Sequence, residues 1–353
     1  MARRTYGLDI GSHSVKLVEL AKDKTGVMLS NCAVKGIYSP DQEFNLEGPP
    51  PRQVAAAVKE AFREIKVSPR RARSVNASLG GPHVSVKQVR TIPLAPEEMD
   101  SSLAFEARKH LPLDESEAIL DFQILAGDME STHMEILLVA TTQKVFSSFV
   151  TMMKDLGIKP RVIDAESLAL VNSYLLTHEA QPGEIYIFLE VGARSSILTF
   201  YGPTDLFFTR DIAFGGHHFT EDVRARRDLE YGEADRFKKE NGIFLEVSSA
   251  ESGEGPSGLS IKVARKTAQE SLVEEIRRSL RYYTKETGRR DFERIFLAGG
   301  SALIAGLDTY LGNELGIPVE VYNPTDGLQL PVGFPRELVP QLAVALGMAL
   351  RED

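Results

Sequence analysis

Tyr6-Gly7-Leu8-Asp9-Ile10-Gly11-Ser12-His13-Ser14-Val15-Lys16-Leu17-Val18-Glu19-Leu20 reads as strand, glycine turn, strand, with an acid at the turn. Tyr6, Leu8 and Ile10 alternate with small or polar neighbours, and Val15, Leu17 and Leu20 follow the turn, so both flanks carry the period-two signature of strands. Gly11 permits the positive φ that a tight bend needs, and Ser12 and Ser14 set hydroxyls beside backbone N–H groups that can cradle an anion. His13 and Lys16 belong to the same candidate phosphate loop. Asp9 ends the first strand with an acid suited to organising a magnesium ion and its waters. The plain alternative is a surface hairpin with a solvated aspartate.

The plan recurs at Ile185-Tyr186-Ile187-Phe188-Leu189-Glu190-Val191-Gly192-Ala193-Arg194-Ser195-Ser196-Ile197-Leu198-Thr199-Phe200: strand, acid, glycine turn with hydroxyls, strand. Gly192, Ala193 and Arg194 form this second loop. Glu190 stands where the first copy has aspartate, as a second candidate metal and catalytic carboxylate. Its extra methylene displaces the carboxylate by about 1 Å, enough to disturb the near-octahedral water shell that magnesium requires.

The 353 residues suffice for two domains, and 42% hydrophobic with 26% charged residues describes an ordinary globular protein. Forty-one Lys and Arg against 50 Asp and Glu, a formal charge of −9, argue against a dominant nucleic-acid surface. The single cysteine, Cys32, excludes an intrachain disulfide and favours a reducing compartment. No run approaches the ~18 apolar residues of a membrane-spanning helix, and no signal peptide is legible, so a cytoplasmic protein without direct membrane insertion is expected. His83, His110 and the other scattered histidines lack partners at ligand spacing, and the adjacent His217 and His218 diverge on a helix, so no zinc is implied.

Along the chain, helices are expected over 54–65, 97–111, 145–156, 166–176, 262–286 and 341–350. Strands are expected over 74–79, 84–92, 119–125, 134–140, 158–164, 207–212 and 294–297. Gly80-Gly81-Pro82 marks a boundary, after which strand, helix, strand, strand, helix makes a compact inserted α+β unit. Asp164 and Glu166 stand at the start of a helix, where they can serve as its cap and dipole compensation. Gly215 and Gly216 open a helix whose N-terminus favours phosphate. Asp235 and Lys238 lie one turn apart, by spacing alone a plain ion pair. After the strand at 294–297, Gly299, Gly300 and Ser301 let a flat group press against bare backbone. The polar stretch 248–258 should be a mobile loop.

The two hairpins and the glycine motif at 299 resemble the phosphate and adenosine motifs of the actin-like ATPase superfamily. The resemblance narrows to its PilM branch, related to FtsA, through Phe105-Glu106-Ala107-Arg108-Lys109-His110-Leu111-Pro112-Leu113, Asp121-Phe122-Gln123-Ile124-Leu125 and Glu135-Ile136-Leu137-Leu138-Val139-Ala140. It spans roughly the whole chain, in order. It implies an α/β, actin-like (ribonuclease H-like) fold: domain IA from 1–83 and 158–181, an inserted IC subdomain from 84–157, IIA from 182–220 and 287–353, and a small helical IIB from 221–286. It further implies Asp164 and Glu166 at the cleft-facing start of the connecting helix as tentative catalytic acids, Asp235 and Lys238 near the adenosine, ATP and Mg2+ as cofactors, and a scaffold of type IV pilus assembly. With Glu190 in place of the superfamily's usual aspartate, weak ATPase activity at most is expected. As partner it implies the cytoplasmic N-terminal tail of the inner-membrane protein PilN, and through it PilO, the membrane platform and the assembly ATPase. Three alternatives remain open. One is a GspL- or FtsA-like adaptor, although the sequence ends at Arg351-Glu352-Asp353 without the amphipathic helix expected of FtsA. The others are an actin-like metabolite kinase and an adaptor that binds no nucleotide.

Overall fold

The computed structural model describes residues 3–24, 26–39, 42–82, 84–109, 118–128, 130–243 and 266–351. The stretch 248–258, residues 262–265 of the last long helix, His83, and residues 110–113 lie outside them. In chain order the first part holds β1 (Arg3–Ile10), β2 (Ser14–Asp23), β3 (Gly26–Gly36), α1 (Pro51–Glu64) and β4 (Val75–Leu79). Then come β5 (Val84–Thr91), α2 (Pro96–Arg108), β6 (Ala118–Ala126), β7 (Met134–Thr142) and α3 (Gln143–Asp155), followed by β8 (Pro160–Ala165) and α4 (Glu166–Leu175). The second part holds β9 (Tyr186–Val191), β10 (Ser196–Tyr201), β11 (Phe208–Ile212), α5 (Gly216–Arg227), α6 (Tyr231–Asn241) and α7 (Ala268–Thr287). It closes with β12 (Arg294–Ala298), α8 (Leu307–Leu315), β13 (Val319–Val321) and α9 (Ala343–Leu350).

Two five-stranded sheets share one plan, β3-β2-β1-β4-β8 and β11-β10-β9-β12-β13. In each, three strands meander antiparallel and two more add in parallel. The register puts Asp9 opposite Lys16 on β2, and Glu190 between Ile197 on β10 and Ala298 on β12. Both acids therefore sit near the ends of corresponding strands, where the chain turns into a glycine loop.

Each sheet has its own core. Leu8, Leu17, Val75 and Ala77 pack under Val58 and Phe62 of α1, whose Pro51 at the first helical position suits the fixed φ of proline. Ile187, Leu189, Leu198 and Leu297 pack with Leu272, Ile276 and Tyr283 of α7. Among the described residues that helix starts at Ala268, where Thr267 accepts the Glu270 N–H and the Glu270 carboxylate accepts the Thr267 N–H, a reciprocal cap. It shares the second sheet's core although its sequence position fell within the expected 221–286 unit. The three-stranded sheet β5-β7-β6 buries Ile136 and Leu138 against Met99 and Leu103 of α2. Helix α3, counted with that unit in the sequence, places Phe149 and Met153, and Leu156 just after it, in the core of the first sheet.

Helices α4 and α9 cross where a methyl group on Gly347 would lie 1.8 Å from the Ala169 carbonyl oxygen, so only glycine allows this approach. Ala169, Val344 and Met348 seal the crossing. The inserted sheet also touches the second part: the Gln88 side chain accepts the Phe207 N–H at 2.8 Å, and the Lys87 ammonium lies 5.7 Å from the Phe208 ring.

Candidate functional site

Between the two large sheets lies a cleft of about 680 Å³, walled by both hairpin loops. Gly11, Ser12, His13, Ser14 and Lys16 line it from the first sheet, and Gly192, Ala193, Arg194 and Ser195 from the second. The first turn closes with Gly11 N–H on the Ser14 carbonyl at 3.1 Å, the second with Gly192 N–H on the Ser195 carbonyl at 3.0 Å. Gly11 makes its turn without the expected positive φ. What it supplies is space, since a methyl group there would come 2.9 Å from Lys16 Nζ.

Three carboxylates converge on one lysine. Lys16 Nζ is 3.0 Å from Asp9 Oδ2, and the Ser78 hydroxyl lies 3.3 Å from Asp9 Oδ1. Burial opposes the charge on Lys16, yet Asp9 and Glu190 outweigh it and hold its pKa above the ordinary lysine value. Glu166, at the first position of α4, has its carboxyl pushed well above the ordinary range by burial and then by Asp9 and Glu190. Burial raises Glu190 to about 7, with Lys16 pulling it back and Asp9 pushing it further. Two glycines make room for these acids. A methyl group on Gly80 would meet Glu166 Oε2 at 2.0 Å. One on Gly299, where φ is +88°, would meet the Val191 carbonyl oxygen at 2.6 Å and Glu190 Oε1 at 2.7 Å.

The other candidates divide. Gly216, Asp235, Lys238, Gly300 and Ser301 line the cleft. Gly215 and Gly299 stand behind its wall. The N-terminus of α5 is not the free anion site that its glycines implied: Gly216 N–H and His217 N–H donate to the carbonyls of Gly192 and Ala193 at 2.8 and 2.9 Å, and Gly215 N–H donates to His218 Nδ1. These bonds brace the second loop. Asp235 and Lys238 pair at 2.7 Å, and Lys238 also donates to Thr220 at 2.7 Å and to the Gly216 carbonyl at 3.2 Å. Against the effect of burial, Lys238 and Lys239 hold Asp235 down at about 2.

Asp164 is a correction. It does not face the cleft; its carboxylate pairs with Arg351 at 3.1 Å and accepts the Ala165 N–H at 2.8 Å, because β8 ends beside the C-terminus of α9. The two-residue step from Asp164 to Glu166 crosses from strand to helix, so the acids diverge. Among the described residues no three His, Cys, Asp or Glu side chains converge closely enough to hold a metal ion. Any magnesium would rest on few protein oxygens, completed by phosphate and water. The all-oxygen donor set and the excess of carboxylate over cation suit such an ion.

Several lining residues were not singled out by the sequence. Ser78 falls in the expected strand 74–79, Gly80 and Gly81 mark the expected boundary, Gln341 starts the expected helix 341–350, and Phe44 carries no sequence signal, yet all five line the cleft. Asp211 on β11 adds negative potential at Glu190. Only the glycine pair offered a local signal.

A profile of the family described as "Type IV pilus assembly protein PilM" matches residues 7–353. The chain belongs to the PilM family. Among solved structures, one titled "PilM-PilN type IV pilus biogenesis complex" superposes with a TM-score of 0.78 at 22% identity, covering 98% of this chain and 97% of that one. The ethanolamine utilization protein EutJ from Carboxydothermus hydrogenoformans gives 0.53 at 14% identity over 99% and 89%. A nucleotide-free diol dehydratase-reactivating factor gives 0.53 at 12% over 99% of each chain. The fold of this PilM-family chain is therefore the actin-like fold, and the protein is an actin-like member of type IV pilus assembly.

Proposed function

We propose that the chain binds ATP with Mg2+ in the cleft between its hairpins and, in that state, acts as a scaffold for the cytoplasmic N-terminal tail of a PilN-type membrane protein. One observation carries the nucleotide reading: two glycine-turned hairpins with matched registers face each other across a cavity of suitable size, with Arg194 reaching toward Gly81 from the second loop. The backbone amides and hydroxyls of Ser12, Ser14 and Ser195 with Lys16 and Arg194 would take the phosphates. Tyr231, Asp235, Lys238, Gly300 and Ser301 would take the nucleoside. Asp9 and Glu190 would hold Mg2+ through water, and the ion would neutralise phosphate charge. The extra methylene of Glu190 shifts its carboxylate by about 1 Å from the position that in-line attack requires, which favours retention of ATP over turnover.

The partner reading rests on family membership and on the relative solved as a complex with PilN. Among the described residues no helix is long and apolar enough to cross a membrane, so attachment to the inner membrane, PilO and the assembly ATPase would run through that partner. Residues 84–157 would act as a subdomain inserted between parts of the first domain.

The test is calorimetric titration of a synthetic PilN tail into the protein with and without ATP and MgCl2. Saturable one-to-one binding that strengthens with ATP supports the proposal. Absence of peptide binding in both conditions removes the scaffold reading.

A further inference from the structure

The segment 42–48 belongs to neither core, yet it touches both sides of the cleft. On the first side, Gln42 Oε1 accepts from Gln53 Nε2 at 3.1 Å, the Tyr38 hydroxyl lies 3.4 Å from the Asn45 carbonyl oxygen, and Asn45 folds the segment by accepting the Glu47 and Gly48 N–H groups. Phe44 is only 6% exposed although it lies on an irregular connection. Its ring is 5.4 Å from Tyr38 and 6.3 Å from His13 in the first part, and 5.3 Å from His217 at the start of α5 in the second. His217 continues the row to Tyr231, with ring centroids 5.6 Å apart and Nδ1 3.1 Å from the hydroxyl. Beside Phe44, Glu43 pairs with Arg224 of α5 at 3.0 Å, both partners being exposed at the rim.

We propose that residues 42–48 form a latch closing the front of the cleft, with Phe44 as the residue that covers and retains a bound nucleotide. The proposal rests on the nucleotide reading above. His13, Phe44, His217 and Tyr231 all line the cavity, and the latch places this row across the path by which a ligand between the hairpins leaves. The fastening is weak by construction, since aromatic pairs and one exposed ion pair each contribute little. The α4–α9 crossing behind the cleft is close-packed by comparison. A tight hinge and a weak front catch let the two sides part at the front without unfolding.

The test is stopped-flow mixing of the full chain with an N-methylanthraniloyl derivative of ATP and MgCl2, measuring association and, after a chase with excess ATP, release. Glu43→Arg and Arg224→Glu should each speed both steps about two- to fivefold, the range set by an exposed ion pair. The double reversal should recover most of the difference, less a residue from Glu221, which Arg224 also reaches at 3.4 Å. Phe44→Ala should speed both steps about five- to tenfold, the scale of lost aromatic contacts. Should that variant fold poorly, the exposed charge reversals carry the test. If the wild type binds the analogue and neither the reversals nor Phe44→Ala changes the rates, the latch is wrong and the nucleotide site stands. Faster release with unchanged association in every variant also overturns it, reducing the segment to a ligand contact. If the wild type binds no analogue, the nucleotide reading fails and the latch with it.

Discussion

Glu190 gives the sharpest prediction about the protein free of ligand. Burial pushes its carboxyl up to about 7 in the fold against an ordinary 4.5, with Lys16 partly offsetting the rise and Asp9 adding to it. The folded-state value is raised, so folding costs free energy when the group is ionised in both states, above about pH 7, and nothing when it is protonated in both, below about pH 4.5. The gap of about 2.5 corresponds to about 3.4 kcal/mol at 1.36 kcal/mol per pH unit. Lys16, Asp9 and Glu166 share the same field, and the side chain is only half-buried, so about 1–3 kcal/mol is the usable range. Glu190→Gln removes the charge at nearly constant shape and should stabilise the protein by that amount near pH 8, or about 2–6 °C in Tm. The difference should shrink as pH falls through 7 and vanish near 4.5. Thermal unfolding by circular dichroism, run for both proteins in magnesium-free and nucleotide-free buffer across that range, reads it directly. A destabilised Glu190→Gln protein at pH 8, or a gain that does not depend on pH, would refute the picture of an acid cluster only partly compensated by Lys16.

Three further outcomes follow from the same geometry. Lys16→Met leaves Asp9, Glu166 and Glu190 facing one another without their cation and should lower stability near pH 7 by about 3–5 kcal/mol, seen as an earlier urea midpoint; an unchanged midpoint would mean the acids are already neutral. Gly299→Ala combines a left-handed φ with a 2.6 Å approach to the Val191 carbonyl, so a loss of about 1–3 kcal/mol is expected in the same assay, and a wild-type midpoint would contradict it. Wild-type ATP turnover should be very slow, and Glu190→Asp should raise it in a phosphate-release assay, because in-line geometry is sensitive to about 1 Å. A rate lowered by that substitution would make the longer acid an adapted catalytic group.

Much of this architecture was legible because it is local. A glycine turn between two alternating runs specifies a hairpin with no help from the rest of the chain, and both hairpins form with Asp9 and Glu190 at corresponding places. The helix read at 54–65 forms over Pro51–Glu64, since proline starts it and Val54, Val58, Ala61 and Phe62 share one face. Readings that depended on distant contacts fared worse. β3 carries Ser30, Asn31 and Lys35 among its apolar residues and lies at a sheet edge, so its alternation is faint. Whether Asp164 faces the cleft depends on Arg351, almost two hundred positions away. The amides that should have made the α5 terminus an anion site are taken by carbonyls of the second hairpin, a pairing invisible in the spacing of Gly215 and Gly216. Phe44 has no periodic neighbours at all, and its meaning arises only when α5 is brought across from the second part.

The central claim is that the two hairpins jointly hold the phosphates of one nucleotide. A crystal structure of the full chain with adenylyl imidodiphosphate and MgCl2 tests it most directly. The β- and γ-phosphates are expected between residues 11–14 and 192–195, within hydrogen-bonding reach of Lys16 or Arg194, and the adenosine beside Tyr231 and Gly300. An analogue bound elsewhere, or a cleft that stays empty at saturating analogue in crystals diffracting well enough to show it, would contradict that claim.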